Sequence, residues 1–257
     1  MKKVALVTGG SSGIGRAVVH AFESHGWKVR SFSRRDGVDI TDAAAVSAAV
    51  ARLVEEEGRI DALVNNAGIG VFGAAEETSL DDVRRQMDVN FVAAASLVQK
   101  VLPQMRKQGF GRIVNVASLA AAFPLPYQSF YSASKAALLA WTRALDGEVS
   151  RFGVRAVAVC PGDVRTGFTD ARSCVGNSED GAASPYAAQV KRALEKASKS
   201  ERGGQTPETV ANCIYACVTS KNPPLVVTPG AGLAWLERFS RILPRSLVSK
   251  LVARIYA

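Results

Sequence analysis

The chain has little that could hold a metal: two histidines, His20 and His25, and four cysteines, Cys160, Cys174, Cys213 and Cys217. None of the six falls into a metal-ligand spacing, so no metal site is expected. Cys213 and Cys217, one helical turn apart, read as small core residues. A disulfide framework is absent as well, and a reducing, cytoplasmic compartment is expected. Long apolar runs are missing: the run behind the basic start, Val4 to Val7, is far too short for a signal peptide or a spanning helix. No Pro/Gly/Ser linker, repeat or low-complexity tract divides the 257 residues, which favours one domain over two. Zinc-finger, basic-zipper and stacking-aromatic signatures are absent too, so the net charge of +9 does not imply nucleic acid. That charge is uneven, because residues 221–257 carry six basic residues and one acidic.

What is present is an alternation. Short β-branched runs end in small or polar residues: KKVALVTGG, WKVRSFS, ALVNNAG, RIVNVAS, VRAVAVCPG and PLVVTPG. Between them lie helical stretches such as IGRAVVHAFESHG, DAAAVSAAVARLVEEEG and SFYSASKAALLAWTRALDGEVSRFG. Strands alternating with helices predict a parallel sheet covered on both faces, with its ligand site beyond the carboxyl ends of the strands. The polar and glycine-rich residues of this chain cluster at those ends.

The first such end, TGGSSGIG, places Gly9, Gly13 and Gly15 between a strand and a helix. Backbone amides of such a turn, with the positive end of the helix, suit a pyrophosphate, and Ser11, Ser12 and Ile14 belong to the same turn. After the second strand an NAD site commonly carries an acidic residue for the ribose hydroxyls. Here the chain reads Ser33-Arg34-Arg35, with no carboxylate before Asp36. Arginine matches a phosphate in charge and geometry, so Arg34, aided by Arg35 and the Ser33 hydroxyl, would favour a 2′-phosphate, and NADP(H) is the preferred cofactor with NAD(H) the alternative.

Taken together, the glycine turn, Asn65-Asn66-Ala67-Gly68, Asn90, Ser118, Tyr131-x-x-x-Lys135 and PGDVRT resemble the short-chain dehydrogenase/reductases in order and spacing, from residue 4 to about 230. The resemblance implies a single Rossmann-type, doubly wound parallel sheet of about seven strands. It implies Ser118, Tyr131, Lys135 and Asn90 as the catalytic set, with Asn90 widening a helix and holding a water that links Lys135 to solvent. Asp39 and Ile40 would edge the adenine. Asn66, Ala67 and Gly68 would line the cofactor while the asparagines brace neighbouring strands. Pro161, Gly162, Val164 and Thr166 would hold the nicotinamide end. A homodimer or homotetramer built on the helices of Asn90 and Tyr131 is implied as well. One departure stands out: only about six residues separate the second strand from Asp39, too few for a helical crossover.

Tyr131 and Lys135, four apart, share a helix face. Lowering a tyrosine pKa from about 10 to about 7 takes roughly 4 kcal/mol. One cation at about 4 Å in an effective dielectric near 20 supplies about that much, against the phenolate's desolvation. Hydride transfer between NADP(H) and a carbonyl/alcohol pair follows. Tyr131 would move the proton, Ser118 would hold the oxygen, and Lys135 would lower the tyrosine pKa and, by resemblance, bind the ribose. Substrate contacts are expected from Ser118, Tyr131, Phe123 and Phe168, with residues 167–206 as a polar lid.

The stretch around Tyr131 looks most like the hydroxysteroid and retinol dehydrogenase branch, implying an apolar, steroid-, retinoid- or lipid-like substrate. A 3-oxoacyl-carrier-protein reductase and a non-catalytic NADP-binding regulator are the alternatives. Residues 231–257 form two short amphipathic patterns broken at Pro244. Leu233, Leu236 and Leu243 would share one face, and Leu247, Val248, Leu251, Val252 and Ile255 another. Arg238, Arg241, Arg245, Lys250 and Arg254 supply the charge. A flap over the substrate opening, an oligomer contact and a peripheral membrane contact are all open for this segment.

Overall fold

The apolar stretches at residues 4–7, 62–64, 113–114 and 156–159 are driven out of water and form the centre of the molecule. The computed structural model describes residues 2–175, 184–240 and 242–256. Its main sheet comprises β1 (Val4–Thr8), β2 (Lys28–Phe32), β3 (Ala62–Asn65), β5 (Gly111–Val116), β6 (Val154–Val159) and β8 (Val226–Val227), in the order β2-β1-β3-β5-β6-β8. Every pairing is parallel. A second sheet of two strands pairs β4 (Val71–Phe72) with β7 (Ser173–Cys174).

Helices cover both faces of the main sheet. On one side α2 (Ala43–Glu57), α4 (Ala93–Lys107) and α5 (Ser129–Val149) set Val46, Val50, Leu97, Val101 and Leu145 against Leu6, Leu63 and Ile113. On the other, α1 (Gly13–Ser24) and α7 (Pro207–Thr219) set Val18, Phe22, Val210 and Ile214 against Val7, Val64 and Val157. Local chemistry fixes the helix ends. Asp42 accepts the Ala44 and Ala45 N–H groups at the start of α2, and Gly58 closes that helix at a φ of +69°. Chain order reverses between β1 and β3, which opens a crevice at the carboxyl edge of the sheet.

Two expectations need correction. The main sheet has six strands among the described residues, not about seven. Between β2 and α2 the chain makes one 3₁₀ turn, Arg34–Asp36, and a short loop through Asp39 and Ile40. That length holds neither a crossover helix nor a return strand, so β2 becomes the sheet edge. Residues 167–206 are also more than a polar loop. They contain β7 and the sixteen-residue helix α6 (Ala187–Arg202), while residues 176–183 lie outside the described residues. The tail forms α8 (Ala231–Ser240) and α9 (Arg245–Tyr256), interrupted at Pro244 as the sequence suggests.

Candidate active site

At the carboxyl edge lies a cleft of about 1430 Å³. One end is built from the glycine turn. Gly9 adopts a φ of +66°, and a Cβ on Gly15 would lie 2.2 Å from the Gly9 carbonyl oxygen, so the turn closes only without side chains there. The Thr8 hydroxyl accepts the Asn66 and Ala67 N–H groups at 2.9 and 3.0 Å, and Asn66 Nδ2 donates to the Thr8 carbonyl at 3.0 Å. The tips of β1 and β3 are thereby tied together. Asn65 Nδ2 donates to Asn115 Oδ1 at 2.8 Å and joins β3 to β5, the bracing expected of these asparagines. Ser11, Ser12, Gly13 and Ile14 line the cleft at the start of α1, where the Ser12 side chain makes no capping bond. The first-turn N–H groups of α1 are therefore available to an anionic ligand.

Beyond this turn the cleft runs past Ser33, Arg34, Arg35, Asp39 and Ile40. Arg34 and Arg35 are exposed. The Ser33 hydroxyl, expected to help with a phosphate, instead donates to the Asp36 carboxylate at 2.6 Å, as the Ser31 hydroxyl does at 2.7 Å. Asp36 is absent from the cleft lining, which at this strand end sets Arg34 and Arg35 against the single carboxylate of Asp39.

Ser118, Tyr131, Lys135, Gly68, Pro161, Gly162 and Val164 line the same cleft, while Ala67 and Thr166 lie against the glycine turn at Gly9 and Gly13. The Ser118 hydroxyl accepts the Ala120 N–H at 3.1 Å and stands beside Tyr131, whose ionised form it favours. Lys135 Nζ lies 5.9 Å from the centre of the Tyr131 ring and donates to the Val116 carbonyl at 2.9 Å. Asn90 stands behind the cleft wall rather than in it. It occupies a π-helical turn, Asp88–Val92, between α3 (Leu80–Met87) and α4, the local widening foreseen for it. Its side chain accepts from the Ile69 N–H at 2.8 Å and donates to the Ile69 carbonyl and to Ser134 Oγ at 3.0 Å each. Gly68 makes room for both partners: a Cβ there would sit 3.2 Å from Asn90 Oδ1 and 3.4 Å from Lys135 Nζ.

The electrostatics correct the expected pairing. Burial pushes the Tyr131 pKa up to about 12, further raised by Glu201 and Asp163 and opposed by the Ser118 hydroxyl and by Arg172. Burial also lowers Lys135 to about 8. Desolvation of the buried phenolate outweighs the groups that favour it, so the polypeptide alone raises the Tyr131 pKa rather than lowering it.

Phe168 packs on Tyr131 with ring centres 5.9 Å apart, and Phe123 lines the cleft nearby. Several neighbours escaped the sequence reading. Arg172, its side chain 1% exposed, pairs with Glu201 of α6 and lies over the Phe72 and Phe168 rings. Glu201 and Asp163 both line the cleft, and the Ser200 hydroxyl donates to Asp163. The apolar spacing Val190, Leu194, Ala197 was a readable helical signal for α6, diluted by its alanines and charges. The tail reaches the same space. Leu233 presses so close to Gly162 that a Cβ there would be 2.7 Å from its methyl, and Leu243, Val248, Leu251, Val252 and Ile255 line the cleft. Leu247, expected to share that face, is 44% exposed and absent from the lining; the Leu236, Arg241 and Arg245 side chains lie outside the described residues.

A doubly wound parallel sheet with this glycine turn at its switch point is the architecture of a dinucleotide-binding protein. The family model for short chain dehydrogenases matches residues 37–174, and the chain is a member of that family. It is 37% identical over 235 residues to the 3-ketodihydrosphingosine reductase of Bacteroides thetaiotaomicron, covering 86% of each chain. A short-chain dehydrogenase from Streptomyces avermitilis superposes with a TM-score of 0.82 at 29% identity, covering 98% of this chain and 96% of that one. ElxO, solved with NADP bound, superposes with a TM-score of 0.74 at 25% identity, covering 90% and 98%. The protein is thus an oxidoreductase enzyme with a nicotinamide cofactor.

Proposed function

We propose that the protein is an NADPH-dependent reductase of long-chain, lipid-like ketones. The observation that carries this reading is the apolar lining that α8 and α9 bring to the cleft holding Ser118 and Tyr131. Preference for NADPH is supported by Arg34 and Arg35 at the end of β2 and by an Asp36 held away from the cleft. The glycine turn and the uncapped start of α1 suit the pyrophosphate, and NADPH supplies the hydride.

The side chains then divide the work. Ser118 hydrogen-bonds the carbonyl oxygen as charge develops on it. Tyr131 gives that oxygen its proton. With a pKa of about 12 the phenol is fully loaded at neutral pH, and an alkoxide is basic enough to take its proton, so the free protein is set for reduction. Lys135 binds the ribose hydroxyls and is anchored by the Val116 carbonyl. Asn90 positions Lys135 and the turn of Tyr131 through Ser134, whose hydroxyl donates to the Tyr131 carbonyl at 2.7 Å.

Asp163 and Glu201 bring negative charge close enough to oppose Tyr131 ionisation, that of Glu201 being offset in part by its ion pair with Arg172. An ammonium group beside the substrate carbonyl would meet that charge favourably. A 3-ketodihydrosphingosine, the substrate in the relative's name and a long-chain 2-amino ketone, has both the cation and the alkyl chain such a cleft suits. The apolar lining favours a free lipid over a carrier-bound acyl group.

The test is NADPH oxidation against long-chain amino ketones, simple ketones and acyl thioesters. Long-chain ketones should be the best substrates; a preference for acyl thioesters would overturn the assignment. Tyr131→Phe should keep NADPH affinity, read by fluorescence titration, while turnover falls by about a thousandfold or more, within the span of general acid catalysis and oxyanion stabilisation together. Undiminished turnover in that variant would remove Tyr131 from the proton step.

A further inference from the structure

Six of the eight large apolar side chains exposed among the described residues lie on α8, α9 or the turn between them: Trp235, Phe239, Ile242, Leu247, Leu251 and Ile255. Trp235 and Ile242 are 70% and 77% exposed, and Trp235 stacks on Phe239 at 5.5 Å. An outward apolar face of this kind usually marks a docking surface. Basic side chains accompany it: Arg238, Lys250 and Arg254 are exposed, and Glu237 is the only acidic residue of the final 37.

Charge decides between a second copy of the chain and a lipid surface. A two-fold contact through this face would set the same basic residues against each other. An anionic bilayer offers the opposite charge and an apolar layer for the aromatic pair. No helix among the described residues is long and apolar enough to cross a membrane. Leu251 and Ile255 line the cleft and are also 46% and 59% exposed, so apolar surface runs without a break from the cleft to the outer face.

We infer that the outer face of α8 and α9 seats this protein on an anionic phospholipid surface, with the mouth of the cleft at the lipid boundary. The inference goes beyond the proposed reductase activity and is tested without it. Full-length protein is sedimented with vesicles of phosphatidylglycerol and phosphatidylcholine, or of phosphatidylcholine alone, at low and high salt. Binding should favour the anionic vesicles and weaken with salt. The variant Trp235→Ser/Phe239→Ser/Ile242→Ser should lose about tenfold or more in partitioning. Arg238→Glu/Lys250→Glu/Arg254→Glu should lose roughly fivefold or more per charge and abolish the anionic preference. Both should retain the wild-type circular dichroism and turnover of a short, water-soluble ketone. Wild-type protein that stays in the supernatant with anionic vesicles at low salt overturns the inference. So does a serine variant that changes oligomeric mass but not lipid partitioning, which would make the face a contact between copies.

Discussion

Lys135 carries a cost that its neighbours explain. It is 4% exposed, and burial lowers its pKa from 10.5 to about 8. Between those values the unfolded chain holds more protons than the folded one, so stability rises with pH through that window and the full penalty applies below about pH 8. A shift of this size corresponds to about 3 kcal/mol. Lys135→Met removes the penalty but gives up the hydrogen bond to Val116, worth about 1 kcal/mol. The variant should therefore be more stable by about 2 kcal/mol at pH 7, with the gain shrinking toward pH 10, in urea unfolding, while NADPH affinity and turnover collapse. A variant less stable than wild type at pH 7 would contradict the burial penalty. That Tyr131 and Lys135 share a space was legible in the sequence because they lie four apart on one helix, whereas Ser118 joined them through the family resemblance. The direction of the Tyr131 shift was not legible, because desolvation depends on everything folded around the phenol. For the adenosine end, Arg34→Ala/Arg35→Ala should raise the KM for NADPH by tenfold or more, in line with losing charge-assisted hydrogen bonds, and leave that for NADH nearly unchanged. Equal effects on both cofactors would remove the two arginines from phosphate recognition.

At the scale of elements, the site depends on irregularities more than on regular helix. The π-helical turn between α3 and α4 turns Asn90 inward, where one side chain holds the loop after β3 and the start of α5 together. Asn90→Ala would leave the Ile69 N–H and carbonyl without their partner, at about 1–3 kcal/mol for each buried group. Such a variant should unfold at lower urea and lose kcat more than NADPH affinity, since the glycine turn lies elsewhere; an equal loss of NADPH affinity would place Asn90 in cofactor binding instead. Most of the sheet was readable because its central strands are short apolar runs closed by small or polar residues. The strand count was overestimated because the family pattern supplies a unit that residues 33–42 are too short to form. The helix α6 went unread because its buried side is largely alanine, which carries little hydropathy contrast. Arg172, buried between two aromatic rings and paired with Glu201 on α6, became visible only once β7 had docked on β4.

Across the whole molecule, the cleft is made by two parts of the chain that differ in composition. The end of β5 and helix α5 supply the polar end, with Ser118, Tyr131 and Lys135, and the final 27 residues supply the apolar wall through Leu233, Leu243, Val248 and Val252. The sequence left that tail open between flap, interface and membrane contact, because amphipathic spacing shows that a helix has two faces but not what each one meets. With one face on the cleft, chain length of the substrate becomes the variable the tail should control. Each methylene that leaves water for that wall contributes about 0.8 kcal/mol, or roughly fourfold in kcat/KM, until the wall is filled. A series of 3-ketones of increasing length should therefore show a steep rise followed by a plateau in the full chain. Truncation after Gly230 should flatten the rise and leave the shortest ketone nearly unaffected, because the polar end comes from the end of β5 and from α5. Parallel losses at every length would mean instead that the tail supports the polar end of the cleft. An unchanged slope would move substrate selection to Phe123, Phe168 and α6.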